Sequence, residues 1–474
     1  MRPLAWLFIC CLLAARCFAG PQDLVLGASN DAFYQPQVYH LDNGMRVVMK
    51  QRPEVQKVSI RLVVELGLDH FPCEQSELPH VIEHMLFEGT DRYSNIELEK
   101  RVSDYGAHWN ASTEEALTIY SFEVYGPYIG FALDTLYEVV SRSLLDEPAY
   151  TRAIEAARIE SDNADGFKRI WQGMDMGGYG SERLFADMGV YCDPALDPYQ
   201  FTHPQLMAAL RQYYSAGNMT LVVVGNFDPV AAKQQIAVDF GQLEATETQR
   251  PPSPLAWRPA AQQGYDSRGV LGLSDTADVG IVWPTGGVAG DEYLALRLLT
   301  HYLSTRLYNV LRNESQLSYS PDADTYQLPL RGVLYLSADT KRGNEDQVIG
   351  ILRAELEQVL QGDSLTAEDF EQTRRSLVIA LAMSDLDNAD IADYYSRSLY
   401  ELAADDQFWN IERRLQAISY EQFIECLQVF FQLRAGVEYV DRTVFDTTRA
   451  MLLAAAVFLL IVLGVVRLIR RRLG

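Results

Sequence analysis

The stretch LPHVIEHMLFEGT, Leu78 to Thr90, holds two of the chain's seven histidines, His80 and His84, with Glu83 between them. In an α-helix, residues three and four apart share a face, so His80, Glu83 and His84 point the same way. Pro79 suits the first turn of such a helix, where a missing N–H is no loss. Two histidines one turn apart offer two nitrogen ligands to zinc, which at a catalytic site takes three protein ligands and keeps one position for water. Glu83 cannot easily reach the metal beside them and is placed instead to take a proton from an activated water. Two surface histidines on an ordinary helix are the plain alternative, and the flanking sequence decides between the two.

Around this helix the chain alternates between strand and helix patterns. MRVVMKQ (Met45 to Gln51) and VSIRLVVELG (Val58 to Gly67) read as strands, the second with partial in-and-out alternation. Then come a polar helix, IELEKRVSDYG, closed by Gly106, paired strands in HWNASTEEALTIYSFEV, and helices in IGFALDTLYEVVSRSLL and YTRAIEAARIESDNA. MTLVVVGNFDP, Met219 to Pro229, is a buried strand that ends in a turn. A proline-rich stretch, QRPPSPLAWRP, follows around Gln249 to Pro259. Beyond it the order recurs in outline: strand DVGIVW, long helix EYLALRLLTHYLSTRLYNVLR, strand GVLYLSAD, then helices QVIGILRAELEQVL and FEQTRRSLVIALAM. The expectation is an α+β fold of two homologous α/β-layer domains, residues 38–245 and 269–440, joined by a linker over 246–268.

The composition fits two globular domains, with 474 residues, 48% of them apolar and 22% charged. A formal net charge of -24, with no basic stretch in the body, disfavours nucleic acid or an anionic membrane surface as partner. The two ends differ from the body. MRPLAWLFICCLLAARCFAGPQ reads as an export signal over residues 1–19, cleaved near Ala19-Gly20. The uncharged run from Ala450 to Val466 is long enough to cross a bilayer, and Arg467, Arg470, Arg471 and Arg472 follow it. By the positive-inside rule the basic tail, 467–474, is expected to stay in the cytoplasm, which leaves the body on the outer side of the inner (cytoplasmic) membrane, the periplasmic side if the source is a Gram-negative bacterium. Cys10, Cys11 and Cys17 leave with the signal; Cys73, Cys192 and Cys426 allow one disulfide at most.

HVIEHMLFEGTDRYS followed by YGAHWNAST resembles the pitrilysin or insulinase family of zinc peptidases, which carry an inverted H-x-x-E-H motif, and the resemblance runs from about Val38 to Phe431. It implies one zinc ion per chain, held by His80, His84 and a glutamate on a later helix. Glu160 stands at the family distance in SLLDEPAYTRAIEAARIESDNADG, and Glu155 is the alternative. The family's second glutamate, seven residues before that ligand, is replaced here by Ala153. Glu155 cannot simply substitute for it, because five residues from Glu160 is a rotation of about 140°. In the second half, LRNESQLSYS carries Arg312 and Tyr319, which the resemblance implies hold the substrate and steady its oxyanion, a task suited to a guanidinium and a phenol.

Asn110, Ala111 and Ser112 open the NAST segment, which resembles the edge strand along which the family's peptide substrates lie. The implied activity is a membrane-tethered zinc endopeptidase acting on peptides or unfolded protein segments, with Glu83 as base and Tyr319 and Arg312 as donors. Members of this length resemble half of the long enzymes and pair, so a homodimer, or a heterodimer with a related subunit, is expected. Ala153 and the unusual SELPH approach to the motif keep open a non-catalytic subunit that binds peptides or a partner peptidase.

Overall fold

The computed structural model of the chain describes residues 32–172, 180–193, 196–245 and 264–473, with short breaks at 286, 329–330, 384–386 and 400–407, and also residues 255 and 258. The expected export signal and most of the expected linker lie outside the described residues.

Two sheets organise the body. The first contains β1 (Gln37–His40), β2 (Arg46–Gln51), β3 (Lys57–Val64), β4 (His108–Thr113), β5 (Thr118–Tyr125) and β6 (Met219–Gly225), in the order β1-β2-β6-β3-β5-β4. The second contains β7 (Gly264–Leu273), β8 (Thr276–Pro284), β9 (Asp322–Gln327), β10 (Gly332–Lys341) and β11 (Val437–Phe445), in the order β7-β11-β8-β10-β9. With β1 set aside, the sheets match strand for strand. The first and last strands of each half pair in parallel, β2 with β6 and β7 with β11, and the remaining neighbours are antiparallel. The recurrence visible in outline in the sequence is therefore a shared topology.

Partial alternation was the expectation for β3, but every residue after Lys57 in it is buried. The reason is that both faces of the first sheet are covered. Val58, Ile60, Leu62 and Val64 join Leu221 and Val223 in a core under the helices of the first half. On the opposite face, Val48, Val222 and Val224 pack against Ile391, Ala392 and Tyr395 of the Asn388–Arg397 helix, which belongs to the second half. The loan is reciprocal. Leu184 of the Gly180–Asp187 helix, with Met188 and Val190, packs on Tyr265, Val282, Val333 and Val437 of the second sheet. Burying two apolar faces this way joins the halves through their cores.

The last strand, β11, runs into the Thr447–Leu473 helix with only Asp446 between them. Residues Thr447–Arg467 of that helix are long and apolar enough to cross a membrane, and none of that stretch is buried against the body.

Candidate active site

The Leu78–Leu86 helix sits on the first sheet because Leu78, Val81, Ile82, Met85 and Leu86 form its buried stripe. That stripe leaves His80 and His84 half-buried along one edge. The Glu147–Gln172 helix lies against it through Ala149, Ala153 and Ala157, which recur every four residues and are fully buried. Small side chains on this face let the two helices approach closely, and this accounts for Ala153: a glutamate there would lie inside the seam.

The approach brings Glu160 to the histidines. Its Oε2 lies 3.6 Å from His80 Nε2 and 3.3 Å from His84 Nε2, and the two Nε2 atoms are 3.1 Å apart. One ligand atom from each residue thus falls within 4.8 Å of the others. Zinc bonds of about 2.0–2.1 Å in a tetrahedron place neighbouring ligand atoms about 3.3–3.4 Å apart, so this triangle has the size and donor chemistry of three zinc ligands. Glu155 is exposed, takes part in no ion pair among the described residues, and does not join the cluster.

Glu83 is 8% exposed, and its Oε2 accepts a 2.6 Å hydrogen bond from the Thr113 hydroxyl at the end of β4. Burial raises its carboxyl above the ordinary glutamate range, against the pull of that hydroxyl and of His80. The histidines diverge. Burial would lower His80, but the Glu77 carboxylate beside it prevails and raises it. His84 is lowered by burial and by the charge of His80.

The remaining expected residues fall into two places. β4 is the edge strand of the first sheet, paired with β5, and Asn110 and Ser112 are exposed on it while Ala111 is half-buried. Arg312 stands on the π-helical turn Tyr308–Glu314, its Nη1 donating 2.7 Å to the Tyr319 carbonyl and its guanidinium 4.0 Å above the Tyr319 ring. Tyr319 itself is 67% exposed. No hydrogen bond or ion pair joins Arg312 or Tyr319 to His80, His84 or Glu160 among the described residues.

Several parts of the site went unread in the sequence. Thr113 was visible only as the end of NAST; its role appears once β4 passes beside the helix. Glu77 bonds His80 Nδ1 at 2.7 Å; its sequence signals were the unusual SELPH approach that contains it and its spacing of three from His80. The single disulfide the cysteines allow is Cys73–Cys192, which ties the segment leading into the helix to the stretch before Tyr199, while Cys426 is buried and free.

Two α/β halves of matching topology, with two histidines and a glutamate converging beside a buried carboxylate, define an α+β protein with a candidate metal site. The chain belongs to the insulinase family of peptidases: residues 46–168 match the family described as "Insulinase (Peptidase family M16)" and residues 200–377 the "Peptidase M16 inactive domain". Among relatives, it is 23% identical over 362 residues to the "Uncharacterized zinc protease YmxG" of Bacillus subtilis, covering 73% of this chain and 83% of that one. Solved structures share the fold. A protease from Helicobacter pylori superimposes with a TM-score of 0.72 at 16% identity, over 86% of this chain and 99% of that one. Pitrilysin gives 0.67 at 19% identity, over 90% of this chain but only 46% of pitrilysin.

Proposed function

We propose that the protein is a zinc-dependent endopeptidase acting on peptides or unfolded protein segments, with His80, His84 and Glu160 as zinc ligands. The observation that carries this is the triangle of 3.1, 3.3 and 3.6 Å among one ligand atom from each. When bound, zinc supplies the Lewis acidity that makes water a nucleophile near neutral pH and polarises a peptide carbonyl. The chain's own groups do the rest. Glu83, buried and steered by Thr113, accepts the attacking water's proton and passes it to the leaving amine. Tyr319 and Arg312 offer a phenol and a guanidinium to the charge growing on the carbonyl oxygen. Asn110, Ala111 and Ser112 on the β4 edge hold the substrate's main chain by strand addition, which gives affinity with little sequence preference.

The export signal, the apolar helix and the arginines after it support a single-pass protein of the inner membrane with its body on the periplasmic side. Because this chain corresponds to about half of pitrilysin, with 46% of that protein covered, pairing with a second copy or a related subunit would complete an assembly of that size.

A second reading, a peptide-binding subunit without turnover, is favoured by the match of residues 200–377 to the family's inactive domain, beside the Ala153 and SELPH departures in the sequence. That match lies outside the segment bearing His80, Glu83, His84 and Glu160. Zinc content of the purified protein, and cleavage of a quenched peptide library before and after chelation, separate the readings. The expected result is bound zinc, cleavage lost on chelation and cleavage restored by zinc. Zinc-loaded protein that cleaves nothing would instead establish the binding subunit.

A further inference from the structure

We propose that Glu77 is the positioning residue for His80, holding its ring so that Nε2 faces the ligand cluster; this rests on the zinc-site reading above. The Glu77 carboxylate can only accept a hydrogen bond, so at 2.7 Å from His80 Nδ1 it requires the proton on that nitrogen. In the neutral ring Nε2 then keeps its lone pair, 3.6 Å from Glu160 and 3.1 Å from His84 Nε2. A carboxylate behind a ligating imidazole fixes both tautomer and ring orientation.

Several features mark this contact as built for the purpose. Glu77 occupies the N-cap of the Leu78–Leu86 helix, where a carboxylate ordinarily accepts from the amides of the first turn, yet its side chain makes no such bond. It is turned to His80 instead. Both side chains are mostly covered, at 19% and 16% exposure, so the pair is shielded from competing water. Glu77 is also held from behind. Its amide donates to the Pro198 carbonyl at 3.4 Å. The next residue, Tyr199, places its hydroxyl 3.5 Å from the same carboxylate oxygen and 3.0 Å from the carbonyl of Ala157, on the helix that carries Glu160. Tyr199 therefore lies between the residue that aims one ligand and the helix that supplies another. The Cys73–Cys192 disulfide closes the same junction a few residues away.

The test compares two substitutions of similar volume in the full-length protein, Glu77→Met, which offers no oxygen acceptor, and Glu77→Gln, whose carbonyl still accepts from Nδ1. Zinc dissociation constants are read by chelator competition, and thermal midpoints of the metal-free proteins are recorded beside them. The expected result is an about 10- to 100-fold weaker zinc affinity in Glu77→Met, with most of it recovered in Glu77→Gln. A merely structural role would shift the metal-free midpoints and leave zinc affinity alone. Wild-type affinity in Glu77→Met, or a Gln variant no better than Met, overturns the proposal. Absence of zinc binding by the wild-type protein would overturn the zinc-site reading itself, an outcome distinct from zinc binding that ignores Glu77.

Discussion

At the scale of single residues, the proposed chemistry divides between groups that hold the metal and a group that moves a proton, and substitution separates them. Glu83→Gln keeps the shape and loses the base, so zinc should stay bound while turnover falls by about 10²- to 10⁴-fold, checked by metal analysis beside peptide cleavage. Glu160→Gln should weaken zinc by at least about 100-fold, more than the loss of an outer partner does, whereas Glu155→Gln on the exposed side of the same helix should leave it unchanged. Chelator competition on the two variants reads this directly. The placement of His80, Glu83 and His84 together was legible because it is written in local spacing on one helix. Glu160 was legible only through family distance, since nothing local distinguishes it from Glu155. Glu77 and Thr113 were not legible. A glutamate three residues before a histidine is commonplace on helices, and the Thr113 bond exists only because β4 passes beside Glu83.

At the scale of elements, the loop that carries Tyr319 is organised by one carboxylate. Asp339 on β10 accepts from the amides of Tyr319 at 3.0 Å and Ser320 at 2.6 Å and from the Ser318 hydroxyl at 2.8 Å. Burial alone would raise this carboxyl, but the three donors outweigh it and hold it below the ordinary value of 3.8. A lowered folded value means a contribution to stability that is present above 3.8 and lost as the pH falls through the folded value. The wild-type advantage in thermal midpoint over Asp339→Asn should accordingly shrink between about pH 5 and about pH 3. Asp339→Ala, which frees all three donors, should lower turnover at least about tenfold with zinc retained, because a small misplacement of Tyr319 removes a donor from where charge develops. Unchanged turnover in that variant would detach Tyr319 from catalysis. The strands themselves read well from apolar runs and turn residues. What misled was β3, whose partial alternation gives way to burial on both faces because the Asn388–Arg397 helix covers the face that alternation would expose, where Arg61 pairs with Glu123 at 2.8 Å and Asp393 at 2.6 Å.

At the scale of the whole molecule, each half lays a helix on the other's sheet, and this was beyond the sequence, since periodicity shows that a face is buried but not which half buries it. Arg61→Met breaks the ionic centre of one such contact. Opening a buried pair costs about 3–5 kcal/mol, and the lower end is expected here because Asp393 is one-third exposed; a fall in thermal midpoint measures it. The other joint of the molecule is its junction with the proposed membrane helix. That junction has no slack: Asp446 alone separates β11 from the helix, Arg342 bonds Asp446 at 3.3 Å, and Asp275 accepts from the Thr447 amide at 2.9 Å. Held at so short a distance, the second sheet would stand at a set angle close above the bilayer, and two tethered copies would meet in a plane with raised effective concentration. In a Gram-negative host, protease added to spheroplasts should digest the body of the full-length protein, whereas truncation after Asp446 should release a folded, soluble body that keeps its zinc. Protection of the body in intact spheroplasts, or a truncated form that remains with the membrane, would place the attachment elsewhere.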